Sequence, residues 1–286
     1  MQLKMILPAI LVATMAASTA AQDASADIES ADMEMWRLDC GFLELSDTAP
    51  FSDAHLYDGE PRTMTNSCYL IRHGEQHMLW DAGFESALKG QRVTQSVFTI
   101  GIQQTITEQL GELGLTSKDI DLIAVSHFHS DHVGQLPDLS ESKLVIASAD
   151  WTVVSKSAED GAFLDRTPFQ PWLSADPDKV IAFTGDYDVF DDGSVVIKAM
   201  PGHTPGHSAL LVRLPNSGDV LLTGDLYHFE EQIENRGVPQ FNANRADTLA
   251  SFERFNAIAN SLGATVIIQH DPDHISRLPA FPESAK

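Results

Sequence analysis

Residues 126–132 read Ser-His-Phe-His-Ser-Asp-His, three imidazoles and a carboxylate crowded together at the end of the strand-like run 122–126. Protonated imidazoles repel one another and neutral ones compete for hydrogen-bond partners, so such a group is costly as mere packing and points to a bound cation. In an extended stretch His127 and His129 face the same side and can hold one ion together. Asp131 and His132, past the turn, can reach a second. Whatever this chain folds into must therefore present a loop of ligands at the mouth of a buried strand.

Three other strand-like runs end the same way. The run 195–200 leads into Pro201-Gly202-His203-Thr204-Pro205-Gly206-His207, the run 220–223 into Thr223-Gly224-Asp225, and the run 265–269 into His270. Several histidines suit the imidazole preference of zinc, and a carboxylate between two cations can hold both through separate oxygens. Further β-type runs fall at 67–73, 77–80, 143–147 and 209–214. Helical signals lie between them. Ile102, Ile106, Leu110 and Leu113 form a stripe closed by Gly114, and Asn244 can cap a helix with Leu249, Phe252, Phe255, Ala259 and Leu262 on one face and Gly263 as its stop. Strands interleaved with helices over the whole length predict an α/β or α+β layered domain, one unit spanning 34–286.

Lys and Arg total 18 against 41 Asp and Glu, a net charge of −23 that disfavours nucleic acid and anionic membrane surfaces as partners. Residues 1–20 follow signal-peptide grammar: Lys4, an apolar run over 5–17 too short to span a bilayer, then small residues. Cleavage between 20 and 26 is expected, with 21–33 as a flexible lead-in, no membrane attachment afterwards, and an exported, periplasmic or secreted product. An uncleaved anchor is the alternative. Cys40, in WRLDCGFLEL, and Cys68, in NSCYLIRH, are the only cysteines, too few for a disulfide scaffold or a zinc site of their own. If their strands pair they can bridge in an oxidising compartment; otherwise they are two buried thiols.

The pattern His127-x-His129-x-Asp131-His132, followed in order by His203, Asp225 and His270, resembles the ligand set of the metallo-β-lactamase superfamily over roughly 34–270. That resemblance implies an αβ/βα sandwich with two divalent metal ions at one edge between its sheets, zinc first, with iron, cobalt or manganese as alternatives. It assigns His127, His129 and His203 to one ion, Asp131, His132 and His270 to the other, and Asp225 to a bridge between them. Trp80-Asp81-Ala82-Gly83 matches the family's Asp-x-Gly turn, which makes Asp81 an orienter of a ligating imidazole. His207, with the ligand set already full, reads as a supporting hydrogen-bonding residue.

Within the superfamily, SCYLIRHG, GHTPGHSALLVRLP, TGDLYHF and VIIQHDP resemble the N-acyl homoserine lactonase-like group. The resemblance implies a small-molecule lactone or ester substrate, attack by a hydroxide held between the ions, and Asp131 as the proton carrier to the departing alkoxide. That group often carries a Tyr three residues after the bridging Asp to contact the substrate carbonyl. Here His228 stands in that place and Tyr227 one residue before it, so either is a candidate. Secreted β-lactamases of this fold usually lack a carboxylate where Asp225 stands, and flavodiiron-like members carry Glu where His129 stands. Another ester, a β-lactam or a phosphotriester is the rival substrate, and a non-catalytic exported zinc-binding protein is the reading from another class. His55, His73, His77 and His274 read as solvated, as does the acidic run 230–234. Phe98, Phe229, Phe241 and Trp151 are candidates to line an apolar substrate pocket. The oligomeric state stays open, a homodimer being one option.

Overall fold

The computed structural model describes residues 32–156 and 165–286, so the expected signal peptide and nearly all of the lead-in lie outside the described residues. The first strands already dictate layers on both sides. On β1 (Met33–Leu45) Met33 and Met35 face one way and Trp36, Leu38 and Cys40 the other; on β2 (Arg62–His73) Tyr69 and Ile71 oppose Cys68 and Leu70. All are buried. A strand apolar on both faces must be covered on both faces.

β1 and β2 pair antiparallel with β3 (Gln76–Trp80), β4 (Val93–Gln95) and β5 (Phe98–Gly101), while β6 (Leu122–Ala124), β7 (Lys143–Ala147) and β8 (Val180–Phe183) continue parallel to β3, in the order β4-β5-β1-β2-β3-β6-β7-β8. A second sheet of β9 (Tyr187–Asp188), β10 (Val195–Ala199), β11 (Ser208–Leu214), β12 (Gly218–Leu222) and β13 (Thr265–Ile267) runs in the order β13-β12-β11-β10-β9. The two sheets bury Tyr69, Ile71 and Trp80 against Ile197, Leu210 and Leu222.

The helices are α1 (Ile106–Glu112), α2 (Ser130–Val133), α3 (Ser148–Ser155), α4 (Gln170–Leu173), α5 (Glu231–Asn235) and α6 (Arg245–Leu262). Residues of α1, α3 and α4 pack on the outer face of the first sheet, and α6 packs through Phe252 and Phe255 on that of the second. This is the expected αβ/βα sandwich. α6 begins at its Asn244 cap and stops at Gly263 in the left-handed region, as expected, although Leu262 is exposed.

The stripe from Ile102 is shorter than its spacing predicted. Thr105 closes a capping box with Glu108, so helix α1 starts at Ile106, and Ile102 stays extended in a bridge with Lys89. Cys40 sits at a bulge of β1, where the register shifts between Asp39 and Gly41, and is joined to Cys68 by a disulfide within the outer layer. The bridge, not the pair of free thiols, is what the fold contains.

Candidate metal centre

Chain direction places the ligands. The parallel strands β3, β6, β12 and β13 release Asp81, the 127–132 loop, Asp225 and His270 beyond their carboxyl ends, the crevice where layered α/β folds commonly bind ligands. The loop after β10 adds His203 and His207 from the same side. All expected ligands converge in two groups, His127, His129, His203 with Asp225, and Asp131, His132, His270 with Asp225, whose ligating atoms lie within 4.8 Å of one another. Asp225 faces both: its Oδ1 is 3.0 Å from His132 Nε2 and from His270 Nε2, and its Oδ2 is 3.3 Å from His203 Nε2 and 3.7 Å from His127 Nε2.

The partners of the far ring nitrogens settle which nitrogen carries the proton. His132 Nδ1 lies 2.9 Å from the Asp81 carboxylate and His270 Nδ1 2.9 Å from the Thr65 carbonyl oxygen, both acceptors only. His203 Nδ1 lies 2.8 Å from Asn242 Oδ1, and that amide is oriented because its Nδ2 donates to Thr248 Oγ1, itself a donor to the Asn244 carbonyl. Each Nδ1 therefore donates, and each Nε2 directs a lone pair inward. The inward nitrogens crowd one another. His203 Nε2 stands 3.2 Å from His127 Nε2 and 2.9 Å from His129 Nδ1, and His132 Nε2 is buried without a hydrogen-bond partner. Converging lone pairs around a shared carboxylate are a donor set that divalent cations fit.

Electrostatics agree. Burial pushes His127 well below the usual imidazole range and His129 down to about 3, neighbouring imidazoles adding to the effect, so both stay neutral as ligands must. Burial opposes charge on His132 as well, yet Asp225, Asp131 and Asp81 hold it well above its ordinary value. Three carboxylates thus demand a positive charge at that spot. Asp225 is buried, but His132, His270, His228 and His127 around it hold it well below the usual carboxylate range.

Asp81, whose φ of 63° lies in the left-handed region, accepts from Ser126 N (2.6 Å), Ser126 Oγ (3.0 Å), His132 Nδ1 (2.9 Å) and Gln269 Nε2 (2.9 Å). It orients an imidazole as its turn implied. His207 also supports: its Nδ1 donates to the Met200 carbonyl and its Nε2 accepts from Asp225 N–H, pinning the turn that carries the shared carboxylate.

The sequence profile of the metallo-beta-lactamase superfamily matches residues 62–270, from the start of β2 to the last imidazole of this centre. The chain belongs to that superfamily. The metallo-β-lactamase fold and the two His/Asp groups make it a metal-dependent hydrolase. It is 30% identical to the N-acyl homoserine lactonase AttM of Rhizobium radiobacter over 63% of this chain and 69% of that one. It is also 30% identical to an N-acyl homoserine lactonase of a Bacillus species over 80% of this chain and 90% of that one. Among solved structures it is similar to an N-acyl homoserine lactone hydrolase with the product N-hexanoyl-L-homoserine at its catalytic metal centre. That match has a TM-score of 0.74 and 23% identity and covers 88% of this chain and 98% of that one.

Against this metallo-β-lactamase frame several readings need correction. Tyr227 points away from the centre: its ring stacks on Phe252, 4.5 Å between centroids, and its hydroxyl accepts from Asn256 Nδ2. His228 points in, with Nε2 3.1 Å from Asp225 Oδ2 and Nδ1 buried without a partner. His274 is not solvated but fully buried, its Nδ1 accepting from Ile268 N–H. Within the acidic run, Gln232 is buried between the His228 amide and the Phe51 carbonyl. Trp151 packs in the outer layer of the first sheet, and Phe229 is buried yet borders a hollow beside His270.

Phe241 does face the centre, 5.7 Å from the His203 ring and 6.0 Å from that of His228, and continues through Phe51 to Phe98. The hollow beside His270 has a volume of about 380 Å³ and is lined among others by Arg62, Met64, Phe229, Glu230 and Asp271. Asn242, Thr65, Gln269 and Phe51 were not foreseen. Nothing in their local sequence distinguishes them, because each acts through a partner remote in the chain.

Proposed function

We propose that this protein is a dinuclear hydrolase that opens lactone rings, N-acyl homoserine lactones foremost. The observation that carries it is the placement of Asp225, one oxygen toward each imidazole group, in a chain that aligns with curated lactonases over most of their length. His127, His129, His203 and Asp225 hold one divalent cation, and Asp131, His132, His270 and Asp225 the other, with zinc as the metal. When bound, such a pair supplies an acidified water and a Lewis acid for the carbonyl at neutral pH.

The side chains divide the remaining work. His228, buried and with its Nε2 directed into the centre 3.1 Å from Asp225 Oδ2, is placed to donate that N–H to the substrate carbonyl. Asp131, the partly exposed carboxylate of the set, carries the proton to the alkoxide released when the ring C–O bond breaks. Phe51 and Phe241 offer an apolar wall for an acyl chain. Export is part of the same reading, supported by the leader-like residues 1–20 and by the Cys40–Cys68 bridge, a linkage suited to an oxidising compartment.

The test compares kcat/KM over N-acyl homoserine lactones, simple lactones, aryl esters, β-lactams and phosphotriesters, alongside metal analysis. Lactones ahead of every other class, with about two equivalents of metal, are the expected result. Aryl esters, β-lactams or phosphotriesters turned over faster than any lactone would replace the substrate assignment. No turnover of any of them with both metals present would favour an exported zinc-binding protein. N-terminal sequencing of periplasmic protein should begin between Ala21 and Asp27.

A further inference from the structure

Gln269 is fully buried between the two sheets, and all four hydrogen-bonding positions of its amide are filled. Its Oε1 accepts from Trp80 Nε1–H (3.0 Å) and from the Gly224 N–H (3.1 Å); its Nε2 donates to the Ser67 carbonyl (3.1 Å) and to Asp81 Oδ2 (2.9 Å). Two donors on one side and two acceptors on the other leave the amide a single orientation.

These four partners belong to different parts of the centre. Asp81 orients His132, Gly224 precedes the shared Asp225, Ser67 lies on β2, and Gln269 itself precedes His270. The amide thus ties together the supports of His132, Asp225 and His270. By contrast His203 is oriented through Asn242, and His127 lies against Ser126 Oγ, which meets Gln269 only at one remove, through the Asp81 oxygen to which both donate.

We infer that Gln269 is a positioning residue that sets the spacing between His132, Asp225 and His270, and so governs affinity for the second ion, three of whose ligands it supports, more than for the first, to which it is linked most directly through the shared Asp225. The inference rests on the two-ion reading above. Partners of metal ligands typically change affinity by about 10- to 100-fold when removed.

The test is stepwise cobalt(II) binding to the metal-stripped full chain, followed by visible absorption. The parent should bind two equivalents. Gln269→Met, which keeps the bulk and deletes all four hydrogen bonds, should weaken the second equivalent about 10- to 100-fold and the first less than about 3-fold. Trp80→Phe removes one donor to the amide oxygen while the bonds to Asp81, Ser67 and Gly224 remain; it should lower the thermal midpoint and weaken the second equivalent less than Gln269→Met does. If Gln269→Met does not fold, Gln269→Asn, too short to span the four partners, carries the same expectation.

Equal weakening of both equivalents, no weakening of the second, or the same loss in Trp80→Phe would overturn the positioning role. A parent that binds a single equivalent would instead overturn the two-ion reading, and this inference with it.

Discussion

Asp131 differs from the other carboxylates of the centre in its access to water: its side chain is 15% exposed, against 5% for Asp225 and 1% for Asp81. A group that passes a proton and is then reset needs that access, whereas a bridging or orienting carboxylate does not. Asp131→Asn keeps the size and one oxygen but cannot take up the proton. It should retain most of its metal and lose about 10² to 10⁴ in kcat toward a lactone. The loss should shrink for an aryl ester, whose leaving group needs no proton; equal losses on both substrates would leave Asp131 a ligand alone. Tyr227 and His228 make a second pair to separate. Tyr227→Phe should leave kcat and KM within about 2-fold, because its hydroxyl, pushed up to about 12 by burial, serves Asn256 on the far side. Replacing His228 by Phe removes an inward donor and should lower kcat/KM by at least about 10-fold.

At the scale of elements, short pieces do the positioning. β6 is three residues long and α2 four, so the 127–132 loop has little regular structure of its own and is held from outside. Helix α3 holds the other loop. Buried Asp150 accepts from Thr204 Oγ1 at 2.7 Å and from the Gly206 N–H at 2.6 Å, and a Cβ on Gly206 would sit 2.8 Å from the Asp150 carboxyl carbon. Only glycine lets the His203–His207 turn approach so closely. Burial pushes the Asp150 carboxyl up to about 6 from an ordinary 3.8. Because the folded value is the higher one, its contribution to stability is complete below about pH 4 and declines as pH rises through about 6. Asp150→Asn keeps an acceptor for Gly206 and has no charge to bury. Urea unfolding from pH 4 to 8 should show the variant gaining on the parent across that interval; a constant difference would place the Asp150 titration elsewhere.

For the whole molecule, two sheets and their outer helices bury the ligands while the surface carries most of a net charge of −23. The cross-link matters at this scale, because the disulfide closes a loop of 28 residues between β1 and β2 and so restrains the unfolded chain. Replacing both cysteines by Ala should lower the free energy of unfolding by about 2–4 kcal/mol, read from the denaturant midpoint at unchanged slope. An unchanged midpoint would mean that packing of the outer layer, not the cross-link, restrains that pair of strands.

Ligand chemistry is local, and the sequence alone determined it: which side chains are imidazoles or carboxylates, their order, and their position just past runs of period-two apolar residues that have to become strands. The caps of α6 were legible for the same reason. Tertiary structure decided everything that depends on a remote partner. The acceptors that orient His203, His132 and His270 come from positions 39, 51 and 205 residues away, and the pairing of Cys40 with Cys68 follows from strand register. Tyr227 and His228 are adjacent in sequence with opposite fates, because the extended backbone at that point sends one ring under α6 and the other toward Asp225. His274 looked solvated because its polarity is local and its burial is not. A residue's chemistry is its own; what it faces is set by packing against segments that the local sequence does not contain.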